Sequence, residues 1–394
     1  LENQPVMANT LFLQSEVPDP YALYETMRNE GPVYWDEINR HWAIYSYDCC
    51  KEILSSDAVQ VPVIDAKVKD GLNEYALLIA GQFARLSNGV SHEISRQVVT
   101  QLMQKINADS VGVIMKDLLK DISVPDGMDW VHSICRHLPI KTILSSFSFN
   151  KADSDFILGK MESLSELILP GKPTKQVLGI NGFSKELYII VEKHLLYSGS
   201  YLSCIRDLAV KHKAEVSGIL SLFVSNIIGL FIQGYEATRG LLSNALLQIL
   251  QNTDYGSWSV TDPGHLRKVV MEILRFDPPV HNTRRKAVKD FMVNKVQIKS
   301  KDAIFIMLAA ANRDPGKFNQ PDKFDAGRTN NHEHITFGSG IHSCVANHFS
   351  VSLTVDGLVY FLDRYKKVRL LNRDIQYEPL INLRLPRNIF ISQG

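Results

Sequence analysis

The spacing of hydrophobic and polar positions changes several times along this chain, and the changes mark its elements. After Pro18-Asp19-Pro20, residues 19–57 open with helical spacing and pass into short alternating runs such as His41-Trp42-Ala43-Ile44-Tyr45. Those runs predict a small sheet within Val33 to Tyr47. Residues 58–90 have weak periodicity and scattered Gly, Asp and Asn, and read as a long loop of the functional kind. From Ser91 to about Leu250 nearly every segment repeats at helical spacing. Breaks are expected at Pro125-Asp126-Gly127, Pro139, Pro170-Gly171-Lys172-Pro173 and Asn181-Gly182. Between Val280 and Ala310 the period shortens to that of strands, clearest at 293–298 and 303–308. Residues 311–336, rich in Asn, Asp, Pro and Gly, read as a meandering connection, and the chain closes with a helix after Cys344 and a strand-rich tail. With no internal repeat, low-complexity tract or linker, residues 1–394 are expected to form a single domain.

Val216 to Tyr235 carries no charged side chain, which is long enough to cross a bilayer. Ser217, Gly218, Ser221, Ser225, Asn226, Gly229, Gln233 and Gly234 interrupt it, and no Trp or Tyr belt flanks its start. A buried helix through the core, not a membrane span, is the expectation.

Composition narrows the picture only a little. The chain is 45% hydrophobic and 22% charged, with 43 basic and 42 acidic side chains, an ordinary globular balance that gives no sign of nucleic-acid binding. Five cysteines, at 49, 50, 135, 204 and 344, form no C-x-x-C pair. That argues against a disulfide framework and for a reducing, cytoplasmic setting. The sequence begins at Leu1, and no basic stretch followed by an apolar one suggests a secretory signal or anchor.

The strongest chemical signal is Phe337-Gly338-Ser339-Gly340-Ile341-His342-Ser343-Cys344, a single thiolate in a glycine-rich loop directly before a helical apolar pattern. An anionic sulfur needs backbone N–H groups aimed at it, and Gly338 and Gly340 allow the close approach. For a lone cysteine the ordinary role is a buried structural thiol. The order of residues here, however, resembles the haem-binding signature of the cytochrome P450 family, with Phe337, the two glycines, His342 and Cys344 in the family's places. The resemblance extends over roughly residues 20–394. It implies a mainly α fold with a small β region in a single triangular domain, and haem b with Cys344 as the axial thiolate.

Other segments match the same family. Glu272-Ile273-Leu274-Arg275 resembles its E-x-x-R pair, which by itself would be a weak surface ion pair. Ala311-Asn312-Arg313-Asp314-Pro315 and Pro321-Asp322-Lys323-Phe324 resemble the segments that follow. Lys323 stands where the family often has arginine, and Arg328 is the expected substitute on Glu272. His92 and Arg96 match an H-x-x-x-R pair, and together with Arg285 and His342 they are implied to hold the haem propionates. Gln233-Gly234-Tyr235-Glu236-Ala237-Thr238 resembles the oxygen-activating segment. Glu236 takes the place of the proton-relaying acid, but Ala237 replaces the usual threonine. Thr238 comes one residue late and is expected to point elsewhere, because a helix turns about 100° per residue. The relay is therefore expected to use ordered water, the Gln233 amide or a substrate hydroxyl. Ala346, where glycine is common, adds a methyl near the haem. A rival zinc site could use His332, His334 and His342, but these lack the H-E-x-x-H helical register.

By resemblance the activity is insertion of one oxygen atom from O2, with electrons from NAD(P)H delivered by a ferredoxin and ferredoxin reductase, since no flavin or NAD module is visible. A monomer is expected. The substrate pocket is assigned to residues about 70–86, 168–182, 226–238, 280–284 and 381–385, with Phe231, His281, Asn282, Asn382 and Leu383 prominent. A medium-sized, mainly apolar substrate with an oxygen function is expected, such as a terpenoid, polyketide, modified peptide or fatty acid in specialised metabolism. A peroxide-driven haem-thiolate enzyme and a non-catalytic haem or gas-binding protein stay open as alternatives.

Overall fold

The computed structural model describes residues 10–62, 64, 69–169, 172–251 and 262–394. Its axis is one continuous helical run: Val216–Gln233, a π-helical turn at Gly234–Thr238, then Arg239–Gln251. The run is apolar on nearly every side, so it is stable only where other elements cover it on every side. The helices Glu74–Gly81, Gly89–Met103, Thr174–Leu196, Gly199–His212 and Asn347–Arg364 pack into the same large apolar core. By length and composition the run could cross a membrane, but 67% of its most apolar window is buried within the protein.

At one side lies a five-stranded sheet in the order β1 (Val33–Asp36), β2 (His41–Ile44), β8 (Ala303–Ile306), β5 (Thr283–Ala287) and β3 (Val59–Gln60). Only the β2–β8 pair is parallel. Period-two alternation in β5 sends Arg285 and Ala287 inward and Arg284 and Lys286 outward. Strands β6 (Phe291–Val293) and β7 (Val296–Ile298) form a hairpin whose turn residues Asn294 and Lys295 both have positive φ, 45° and 64°. Strands β4 (Met128–Asp129), β9 (Val368–Leu370) and β10 (Phe390–Gln393) make a third small sheet.

Several sequence expectations need correction. Within 58–90 there is more than a loop: β3, a helix at Glu74–Gly81 and a 3-10 turn at Ala84–Leu86. Asn73 caps that helix through its side-chain oxygen to the Ala76 N–H at 2.9 Å. The helix buries Ala76, Ile79 and Ala80 but has no sharp polar face, so no stripe announces it. Asn181-Gly182 does not break a helix but lies inside Thr174–Leu196. Asn181 accepts the Asn73 N–H at 2.8 Å and donates to the Gly71 carbonyl at 2.8 Å, so tertiary bonding overrides its turn preference. The break expected at Pro139 is present: the π-helical stretch Val131–Cys135 ends before it and the helix Leu138–Ser146 begins with Pro139 in its first turn. The expected strand at 303–308 ends at Ile306 and gives way to a short helix, Leu308–Ala311. The break at Pro170-Gly171 lies outside the described residues.

Within the helix Pro263–Phe276 sits a fully buried ion pair. Arg275 grips Glu272 with two bonds, Nε to Oε2 at 2.9 Å and Nη2 to Oε1 at 2.7 Å, both side chains being 0% exposed. Arg328 supplies the expected second cation, its Nε 3.3 Å from Glu272 Oε1. Lys323 contributes only its carbonyl, which accepts from both arginines. Removing Glu272 would strand two guanidinium groups, so Glu272→Ala should lower the unfolding free energy by about 3–5 kcal/mol. Arg328→Ala should cost less, because the bidentate pair survives it. Urea melts of the two variants check this ranking, and a Glu272→Ala loss under about 1 kcal/mol, the scale of surface pairs, would contradict it.

Candidate functional site

The loop that presents Cys344 is held at both ends by backbone and side-chain bonds. Asn312 accepts the Ile335 N–H at 2.8 Å and donates to Thr336 Oγ1 at 2.7 Å, and Thr336 in turn donates to the Leu274 carbonyl at 2.6 Å. The Cys344 N–H closes the loop on the Phe337 carbonyl at 2.8 Å. Gly338 and Gly340 both take φ of +70°, and a Cβ on Gly340 would lie 2.6 Å from the Leu54 carbonyl oxygen. Only glycine lets the loop lie this close to the end of the helix Tyr47–Leu54. The thiol lies deep but is partly accessible, so it faces an internal cleft. Burial pushes its pKa up, while the Ala346 N–H and the Arg96 charge act the other way. The N–H aimed at the sulfur thus comes from Ala346, and the glycines serve the path of the chain.

Four predicted residues meet at one corner of this cleft. His92 and Arg96 share a face of the helix Gly89–Met103, and the His92 and His342 rings lie 4.0 Å apart. Arg96 donates to the carbonyl and, at 3.3 Å, the hydroxyl of Ser343. Arg285 bonds only Thr283 Oγ1 at 3.4 Å and the Arg284 carbonyl at 2.8 Å, and burial draws its pKa down to about 10. His342 is pushed down to about 4 by burial and by His92, Arg285 and Arg96, and its Nδ1 is buried without a partner. A desolvated cation and an orphaned ring nitrogen, with no carboxylate among the groups acting on them, call for an anion. The two carboxylates of haem fit that corner. His92 differs from expectation in one respect: its ring nitrogens already face the carbonyls of Ala84 at 2.9 Å and Ile341 at 3.1 Å.

On the central helix, Glu236 and Ala237 are partly accessible although they lie deep inside, and so line the cleft. Burial raises the Glu236 pKa, opposed by Arg239 and then Arg85, with Glu378 adding a smaller upward push. Thr238 is 3% exposed and bonded to Ser350 Oγ at 3.1 Å, turned away as expected. Gln233 donates its amide to the Gly229 carbonyl at 2.9 Å. Among the described residues no three metal-binding side chains are grouped, so His332, His334 and His342 make no zinc site. His334 instead packs against Phe337, with ring centroids 5.5 Å apart.

The residues assigned to the pocket lie in different surroundings. Phe231 is 0% exposed and packs edge-on against Phe149, so it faces core, not cleft. His281 is also 0% exposed; its Nδ1 meets Tyr24 Oη at 2.9 Å and its Nε2 meets Tyr21 Oη at 3.5 Å. Its polar character serves a buried network. Asn282 donates to the Ile381 carbonyl at 2.9 Å and leaves its Oδ1 buried without a partner. Asn382 is exposed, and Leu383 is buried in a bridge to Val280. Sequence reasoning passed over Arg85, an exposed residue of the turn Ala84–Leu86 whose charge acts on the Glu236 carboxyl. A lone arginine in a segment read as loop gave no signal.

The helical array with its small sheets, the thiolate loop and the anion-seeking corner define a haem-thiolate protein. The family profile described as "Cytochrome P450" matches residues 264–363. A putative cytochrome P450 140 of Mycobacterium tuberculosis (strain H37Rv) is 31% identical over 378 residues, covering 89% of this chain and 84% of that protein. Pulcherriminic acid synthase of Bacillus subtilis is 23% identical over 372 residues, 89% of each chain. The crystal structure of P450BioI in complex with a hexadec-9Z-enoic acid ligated acyl carrier protein superposes with a TM-score of 0.81 at 21% identity, covering 95% of this chain and 98% of that one. The chain belongs to the cytochrome P450 family. It is therefore a monooxygenase with the P450 fold and a haem cofactor whose iron takes an axial cysteine.

Two outcomes follow. Cys344→Ser should abolish the red-shifted Soret band of the reduced CO complex, and a normal thiolate band in that variant would exclude Cys344 as the ligand. Replacing both Arg96 and Arg285 with alanine should reduce haem retention at least about tenfold, whereas replacing the exposed Lys151 and Lys366 should leave it unchanged. Equal haem occupancy in the two double variants would count against the anion corner.

Proposed function

We propose that this P450, with Cys344 as its axial thiolate, inserts one oxygen atom from O2 into a medium-sized, mainly apolar organic substrate in specialised metabolism. Terpenoids, polyketides, modified peptides and fatty acids fall within that class. The observation that carries this reading is the Cys344 loop lying against the anion-seeking corner of Arg96, Arg285 and His342. The name of one relative, pulcherriminic acid synthase, supports a role in the metabolism of organic molecules. Electrons reach the protein from NAD(P)H through a ferredoxin and its reductase, docking beside the thiolate loop, where Ile341 is 70% exposed. The chain works as a cytoplasmic monomer forming one domain over residues 1–394. Arg96, Arg285 and His342 hold the propionates, with His92 positioning the loop.

Haem, when bound, supplies the site where O2 is activated and one oxygen atom transferred. The protein must deliver protons there. Burial favours the protonated form of Glu236 against the pull of Arg239 and Arg85, which suits it to the part of donor. Ala237 has no hydroxyl to pass that proton on, Thr238 is engaged by Ser350, and the Gln233 amide is engaged by Gly229. Water or a substrate hydroxyl then completes the path. Glu236→Ala should depress turnover roughly 10²-fold with every ligand. Ala237→Thr should raise the product formed per NAD(P)H for ligands that lack a hydroxyl. Wild type coupling equally well to hydroxylated and hydroxyl-free ligands would eliminate the substrate-assisted path and leave water. Full-rate turnover on hydrogen peroxide alone would instead favour the peroxide-driven reading.

A further inference from the structure

The helix Pro20–Glu30 lays two tyrosines against the segment that leads into β5. Tyr24 is 2% exposed and His281 0%, and Tyr24 Oη lies 2.9 Å from His281 Nδ1. Tyr21 is only part-buried, with its ring centroid 6.1 Å from that of Tyr24. Its Oη lies 3.5 Å from His281 Nε2 and donates to Asp277 Oδ1 at 2.7 Å.

The hydrogens of this network run in one direction. Gln14 gives its amide N–H to Tyr24 Oη at 3.4 Å, and Gln14 Oε1 has no partner, so His281 Nδ1 is the acceptor left for the phenol hydrogen. The imidazole N–H then stands at Nε2, facing Tyr21, whose own hydrogen goes to Asp277. Burial, then the charges of Arg384 and Arg313, push the His281 pKa well below its usual value, so the ring is neutral and its Nδ1 lone pair is open to a proton. Burial opposes a charged ring, and an onward step through Tyr21 to the Asp277 carboxylate removes that charge. The histidine also lies near the expected cofactor: it stands four residues before Arg285 of the anion-seeking corner, at most about 14 Å along the chain.

We propose that Tyr24 is a redox-active tyrosine, which gives one electron to peroxide-oxidised haem while its phenol proton moves to His281. This goes beyond the monooxygenase reading and rests on it for the oxidant. The Tyr24 O–H bond breaks, the electron reduces the oxidised haem by one equivalent, and the proton bonds to Nδ1 as the Nε2 proton moves on through Tyr21 to Asp277. Tyr24 is left as a neutral radical. A buried phenol without such an acceptor would have to become a cation, an unpaired charge away from water. The radical then passes to Tyr21, the part-exposed ring of the pair, where a small reductant such as ascorbate returns an electron and a proton. The pair thus discharges oxidising equivalents that find no substrate.

The test mixes ferric, haem-loaded protein with hydrogen peroxide and freeze-quenches it for electron paramagnetic resonance. Wild type should give a tyrosyl radical signal. Tyr24→Phe should cut its yield at least about tenfold, and His281→Gln should slow its formation by a similar factor. Tyr197→Phe, at a ring 88% exposed, should change nothing. Formation in wild type should be slower in D2O, because a proton moves with the electron, and Tyr24→Phe should bleach its Soret band after fewer additions of peroxide. The proposal is overturned if wild type gives no tyrosyl signal, if Tyr24→Phe keeps it, or if D2O leaves the rate unchanged. Should His281→Gln not fold, Tyr24→Phe and the D2O comparison still decide. Each sample also receives a reduced-CO spectrum. With the thiolate band present, a failed radical result counts against Tyr24 alone; a wild type without the band would overturn the haem-thiolate reading and this proposal together.

Discussion

The geometry of the thiolate cleft depends on a carboxylate removed entirely from water. Glu272 and Arg275 are both 0% exposed, and such a pair is rarely a source of net stability, because desolvation offsets most of the attraction. Its value lies in what it organises. Arg275 also donates to the carbonyls of Asn312 at 3.1 Å and Pro321 at 2.8 Å, and Arg328 donates to Asn319 at 2.7 Å and Gln320 at 3.2 Å. Those carbonyls belong to the irregular segment after the sheet, which has little regular structure to fix it. From there Asn312 reaches Ile335 and Thr336, and the next residue is Phe337 of the thiolate loop. The position of the sulfur is therefore inherited, bond by bond, from a helix on the far side of the connection.

The cleft has two charge regimes. Around His342 only cations act, none offset by an acid, which suits an anionic cofactor edge. Along the central helix the mixture is different: a carboxyl, Glu236, whose own form is balanced between burial and two guanidinium groups. Keeping these regimes apart matters physically. A carboxylate beside Arg285 would compete there with the acidic edge of the cofactor.

Much of this was legible in the sequence because it is written in short local patterns. The Cys344 loop, the Glu272–Arg275 pair and the His92–Arg96 spacing each lie on one element, so residue order alone brings their members together. Arg328 as the substitute for Lys323 was also readable, since the missing planar cation had to come from nearby. Long-range geometry was less accessible. His281 and Phe231 fell in segments expected to line the pocket, but whether a side chain points to cleft or core depends on neighbours such as Tyr24 and Phe149, far away in sequence. Arg85 was missed for the converse reason. Its place is set by Asn226 gripping the turn across the cleft wall, a contact no periodicity announces.

The alanine at 237 is easier to understand once Thr238 is placed. Side chains of adjacent helical residues diverge by about 100°, so a hydroxyl at 238 that reaches Ser350 on the helix after Cys344 cannot also face the cleft. The π-helical turn at Gly234–Thr238 widens the helix at this point, a distortion that tends to accompany functional sites. On its outer side a Cβ at Gly234 would come within 2.8 Å of Ile143, so the backbone there is pressed against the neighbouring helix. The helix is thus clamped by close packing at Gly234 and by a hydrogen bond at Thr238, with the part-buried Ala237 between the two clamps. The missing side chain lies next to Glu236 in the chain, where the proposed relay would place a water or a substrate oxygen.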